Sequence, residues 1–187
     1  AHQEGLTFDK GVFEELLVKS SFDFSDIQKN LAFLKGYKTE GNISSQDITE
    51  AIPKSLQDNI FDMTQLLLRG QIQDVRELVH DLRLQGEDEI KLIAVMLGQF
   101  RTYLQVKLLS AQGKSEQQIV SSLSDYLSRK VNPFQVRYAI RDSRHLSVAF
   151  LKTTIKTLVE TDYQIKTGTL DKDYLLDLAL LKIASNS

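Results

Sequence analysis

Arg137, Arg141 and Arg144 stand at i, i+4 and i+7. On a helix that spacing lines three guanidinium groups along one stripe, with Val136 and Ile140 turned elsewhere. A row of planar forks suits phosphate or carboxylate recognition, because each fork binds either anion through two parallel hydrogen bonds. The same row also suits a solvated helix face, or pairing with acids of a neighbouring subunit. These readings stay open side by side. The row lies in a basic stretch: from Arg129 to Lys166, eight Lys and Arg face three acids, in a chain whose net charge is −2. A helix opening at Glu116, a turn at Tyr126–Val131 and a helix opening at Asn132 have the outline of a helix-turn-helix, and so of a DNA-binding domain. The turn exceeds the three or four residues of a DNA-reading motif, which counts against that outline.

Other chemistry is sparse. His2, His80 and His145 are far apart and none has a second ligand at metal spacing. The run Glu87-Asp88-Glu89 is best explained as acids in a helix's first turn, where they complement the dipole. His145 beside Arg144 fits a helix C-terminus for the same reason. No GxxxxGK[ST], GxGxxG or HExxH is present, and no Ser, His and Asp set assembles. With no Cys, disulfides, thiolate metal sites and Cys nucleophiles drop out. The expectation is a chain with no catalytic, cofactor-binding or metal site, and so no enzyme by itself.

The elements that must position the stripe are helices. The 187 residues are 42% hydrophobic and 26% charged, which disfavours disorder, and no apolar run reaches the roughly 18 residues of a membrane span. The acidic balance, with a pI near 6.0, argues against a nucleic-acid footprint over the whole surface. The chain opens at Ala1, without Met or a signal-peptide pattern, and is read as a piece of a cytoplasmic protein. Strand signals are nearly absent. Asp9 is the expected cap of a first helix carrying Val12, Phe13, Leu16 and Leu17. A second follows Asp23 or Ser25 and stops at Gly36. Ile43 is a short extended residue before a helix capped by Ser44, which Pro53 ends. Ser55 caps a helix closed by Gly70, and Asp74–Leu84 follows, closed by Gly86. The stretch from Glu87 to Gln112 is apolar over most of its circumference, which marks a buried central helix. Ser115 with Gln118 forms a capping box, and Asn132-Pro133 pairs a cap with Pro at the first helical position. Ser147 caps a long helix to Lys166. Asp171 caps a last helix, again apolar all round. The expected fold is all-α: a three-helix unit over residues 1–54, then a bundle of about seven helices over 55–187.

Five blocks in order then resemble the delta subunit family of bacterial DNA polymerase III. Ser55–Asp62, closing at Leu68-Arg69-Gly70, resembles the opening of its third domain. Gln85–Ile90 with Leu92-Ile93 is similar to its "GEEPI-x-L" step, and Gln99-Phe100-Arg101 with Leu104–Lys107 to its "QFR…LLQVK". Asn132–Val136 stands at its "hPY-x-V" helix start, and Asp162–Asp171 resembles its "D-x-x-IKTG-x-LD" close. Departures are Asp88-Glu89 where many members have Glu-Pro, and Phe134 for the usual Tyr. The resemblance covers 55–187 and, less distinctly, 1–54. It implies a clamp-loader subunit within the polymerase III holoenzyme, with residues 1–54 a helical lid and 55–187 a collar domain. It further implies partners of gamma, tau and delta-prime type through the collar, a sliding clamp bound by a preceding AAA+-like domain for which this chain has no room, primed DNA nearby, no cofactor, and a cytoplasmic replisome. Arg137, Arg141 and Arg144 are the candidate partner- or DNA-binding residues.

Overall fold

The computed structural model describes residues 6–20, 24–168 and 170–186, the Val18 side chain excepted. Their fold is all-α, with ten helices and one minimal strand pair among the described residues. The chain divides into two compact units, Ala1–Lys54 and Ser55–Ser187. None of these helices is long and apolar enough to cross a membrane.

The first unit holds β1 (Leu6–Phe8), α1 (Val12–Lys19), α2 (Phe24–Tyr37), β2 (Gly41–Ile43) and α3 (Ser45–Ala51). β1 and β2 pair in parallel, Leu6 opposite Gly41 and Phe8 opposite Ile43. Sequence alternation gives no sign of this pair, because three residues are too few to show a period of two. Asp9 is not the cap of α1. Its N–H donates to the Ile43 carbonyl and its side chain accepts from the Asn42 amide, so it extends the strand pair, and the helix begins three residues later. Gly36 lies inside α2, which runs one residue further. Ser25 is likewise inside it, and the alternative cap Asp23 falls outside the described residues. Ser44 does cap α3, in a reciprocal box with Asp47. Leu6, Val12, Leu16, Leu34, Ile43, Ile48 and Ile52 make the core.

The second unit holds α4 (Leu56–Leu68), α5 (Ile72–Leu84), α6 (Glu89–Ala111), α7 (Glu116–Leu127), α8 (Pro133–Asp142), α9 (Val148–Lys166) and α10 (Lys172–Ser185). Reciprocal capping boxes start α4 at Ser55 and α7 at Ser115. α5 starts two residues before Asp74, at a Gln71 cap with no side-chain bond. Gly70 and Gly86 close α4 and α5 at φ +70° and +84°, each with the paired 6→1 and 5→2 bonds that satisfy the last carbonyls. α6 is central and packs on α4, α7, α8, α9 and α10. Leu92, Ile93, Met96, Phe100, Tyr103 and Val106 form its buried side, with the Phe100 ring edge-on to Tyr103 and Phe150 at 6.1 and 6.4 Å. Neither α6 nor α10 is wrapped all round, contrary to the expectation from composition. α6 exposes Lys91, Ala94, Gly98, Arg101 and Leu108, and α10 exposes Tyr174 and Leu181. Apolar residues around an axis measure what a helix can bury, while its neighbours decide how much it does.

Candidate partner and nucleic-acid interface

α8 is built to show its basic side. Asn132 accepts from the Phe134 N–H at 2.9 Å, and Pro133 supplies a preset φ at the first position. Val136 and Ala139 are buried, which turns Phe134, Arg137, Tyr138 and Arg141 outward. The far end is held by Lys107 of α6, whose ammonium donates to the Ser143 and Arg144 carbonyls at 3.1 Å each. A cation at a helix C-terminus satisfies orphan carbonyls and opposes the dipole.

The arginines are not bare phosphate forks. Arg137 donates from Nε and Nη2 to the Glu116 carboxylate of α7, with contacts of 3.0 to 3.3 Å, and its guanidinium lies 5.6 Å from the Phe134 ring centre. Arg141 donates to Asp142 at 2.8 Å and lies 5.0 Å from the Tyr138 ring centre. The bonded carboxylates hold both guanidinium pKa values further above their ordinary range. Both side chains remain over 60% exposed. Arg144 is not on the stripe: α8 ends at Asp142, and Arg144 lies in the turn beyond. The row therefore has two rungs, each an arginine within cation–π reach of an aromatic ring and paired with an acid.

The α7–α8 connection, Ser128–Asn132, is five residues long, and Ser128 adopts a left-handed φ of 51°. The Ser124 hydroxyl accepts from the Val131 N–H at 3.0 Å and so fixes the connection. Arg129 and Lys130 project from it, both exposed. Sequence reasoning missed the partners of Arg137 and Arg141. Phe134/Arg137 and Tyr138/Arg141 each lie three residues apart, a spacing visible in the sequence, whereas Glu116 is 21 residues from Arg137 and reaches it only through packing.

The run Glu87-Asp88-Glu89 does open a helix, with Asp88 accepting from the Ile90 N–H. It also does more than face a dipole. Glu89 is 2% exposed and accepts from Arg83 at 2.9 Å, while its Oε2 meets the Lys172 ammonium at 2.8 Å. Lys172 also grips Asp88, and Arg83 reaches Asp177. Burial pushes the Glu89 carboxyl up, but bonds from Lys172, its own backbone, Arg83 and the Asp173 carboxyl outweigh this and hold it at about 2, while Asp173 is raised in return. The network joins the ends of α5, α6 and α10. His80 and His145 are exposed and His2 lies outside the described residues. Among the described residues no cluster of three or more His, Cys, Asp or Glu could hold a metal ion.

A sequence profile of the "DNA polymerase III delta subunit, C-terminal domain" family matches residues 57–183. The Bacillus subtilis (strain 168) DNA polymerase III subunit delta is 35% identical over 160 residues, covering 86% of this chain and 44% of that protein. A solved structure of the Bacillus subtilis DNA clamp loader delta protein superposes with a TM-score of 0.84 at 30% identity, over 98% of this chain and 53% of the other. The chain thus spans about half the length of these relatives.

Proposed function

Because the chain belongs to the family of DNA polymerase III delta subunits, we propose that it forms the structural and subunit-assembly part of a clamp loader, without catalysis of its own. Residues 1–54 act as a helical lid and 55–187 as a collar domain that joins gamma, tau and delta-prime type subunits. In this reading the sliding clamp is bound by the AAA+-like part of such subunits that precedes the lid, and loading takes place on primed DNA in the cytoplasm. The fold match to the clamp loader delta protein carries the proposal, since it extends over 98% of the chain. The physical character of the second unit supports it. Seven helices packed on one continuous core, with capped termini and an ion network at one end, make a stiff body suited to holding moving neighbours in register. Mixing the 187-residue chain with the other loader subunits on a size-exclusion column tests it. Co-elution with at least one of them is expected. Failure to join any of them overturns the collar assignment.

A further inference from the structure

Glu89 sits where four acids meet two cations. Asp88 and Glu89 open α6, Asp173 and Asp177 lie in the first two turns of α10, and Arg83 of α5 and Lys172 of α10 pair with them. With every carboxyl ionised these six side chains carry a charge of −2, from four acids and two bases. Glu89 is buried. Its Oε1 takes the Arg83 Nε–H, but its Oε2, although 2.8 Å from the Lys172 ammonium, has no donor aligned on it among the described residues. A buried acceptor left in that state costs about 1–3 kcal/mol. Its neighbour is the Asp173 carboxyl, which is 54% exposed and whose Oδ1 lies 3.9 Å from the Arg83 Nε, too far for a hydrogen bond. Two ionised carboxylates only accept and cannot bond each other. A protonated one becomes a donor.

We propose that Asp173 takes up a proton and donates it in a hydrogen bond to Glu89 Oε2, forming an acid-tightened latch that holds the first turn of α10 on α5 and α6. The proton comes from solvent at the exposed side of Asp173, adds to an Asp173 carboxylate oxygen and leaves the cluster at −1. The other ties at this corner join the same elements: Arg83 donates to the Asp173 carbonyl and to Asp177, each at 3.3 Å, and Lys172 holds Asp88. The groups facing the pair are Arg83 from α5, Asp88 from α6, and Asp171, Lys172 and Asp177 from α10 itself. On α4 and α9, which also pack on α10, Asp58 is turned to the Ser55 cap, and Glu160 and Asp162 to Lys156 and Lys166. The bond to Glu89 raises the Asp173 carboxyl while Glu89 is lowered, the pattern of two carboxyls sharing one proton. A raised folded value sets the sign. The latch's stabilisation is complete below about pH 3.9, where the unfolded carboxyl titrates, and is lost as pH rises through the folded value. Glu89 runs the other way and loses its own stabilisation below about pH 4.3, so the corner is tightest in mild acid.

Carbon-detected NMR of the Asp173 carboxyl through a pH titration, in the unaltered 187-residue chain and in Glu89→Gln, tests the latch. Asp173 is expected to titrate above the ordinary aspartate range in the unaltered chain. In Glu89→Gln it returns to that range or falls below it, because Arg83 remains to favour the anion. Hydrogen exchange of the Leu175 and Leu176 amides, the former bonded to the Asp171 carbonyl, gives a second readout. As pH falls from about 7 through the Asp173 titration, their protection, corrected for intrinsic exchange, rises by up to about tenfold per pH unit, the limit for one linked proton. Asp173→Asn keeps a donor for Glu89 Oε2 but cannot titrate, so its protection loses this pH dependence. Circular-dichroism melts confirm that each variant is folded. An Asp173 that titrates at or below its ordinary range in the unaltered chain, one that stays raised in folded Glu89→Gln, or protection as pH-dependent in Asp173→Asn as in the unaltered chain overturns the proposal. If Glu89→Gln does not fold, the exchange comparison with Asp173→Asn decides alone. Both measurements use this chain without any other subunit, so the latch and the collar assignment fail separately.

Discussion

Glu89→Gln tests whether the buried carboxylate is the tie between α5, α6 and α10. A carboxyl held near 2 in the folded chain, against about 4.3 unfolded, contributes at most about 3 kcal/mol at neutral pH, because the Asp173 carboxyl bonded to it is raised and offsets part of this. The amide keeps one acceptor, and both cations have second acids in Asp177 and Asp88, so part of this is recovered. We expect a net loss of about 2 kcal/mol, below the 3–5 kcal/mol typical when one partner of a buried pair is removed. In a 133-residue unit that lowers the melting temperature by about 7 °C. The pH dependence carries the stronger prediction. The folded pKa is depressed, so the stabilisation is complete above about pH 4.3 and drains away as pH falls towards about 2. Thermal melts of the two proteins by circular dichroism should converge, with more than half of the gap closed by about pH 3. A gap under about 0.5 kcal/mol at neutral pH, or one of equal size at about pH 3, refutes the reasoning.

Phe100→Ala, at a fully buried ring between Tyr103 and Phe150, should cost about 3–5 kcal/mol in urea denaturation; a loss below about 1.5 kcal/mol would mean the core collapses around the gap. Lys107→Met keeps the apolar stem but takes the ammonium from the Arg144 carbonyl and leaves the Ser143 carbonyl only its bond from the Leu146 N–H, and should cost about 1–2 kcal/mol, with faster amide exchange in the last turn of α8 as the readout. Ser55→Ala removes the hydroxyl half of the α4 capping box, leaving the backbone N–H of residue 55 to donate to Asp58, and should cost about 1 kcal/mol in the same denaturation assay. Ser128→Gly relieves a left-handed non-glycine residue and should raise stability by about 0.5 kcal/mol, visible as a higher melting temperature.

The features legible in the sequence are those decided by neighbours along the chain. Ser44, Ser55, Ser115, Asn132, Ser147 and Asp171 all cap as their residue types require, since the hydrogen bonds involved span two or three residues. Asp9 shows where that logic stops. It is a good cap by type, but Ile43 and Asn42, more than thirty residues on, engage it first. The candidate site divides along the same line. The α8 face and its outward aromatics follow from helical spacing, whereas the Glu116 pairing that neutralises Arg137 comes from the way α7 lies against α8. Glu89 is the extreme case, its second cation sitting 83 residues away.

The strand pair in the first unit has its own consequence. Phe8 meets a partner 35 positions later, and α1 and α2 lie wholly within the loop so formed. Those helices can wind as soon as they are made, but the knot that gathers them cannot be drawn tight until Ile43 has been synthesised. The strand pair is thus a long-range closure, whose entropy cost is offset only once both strands are in place.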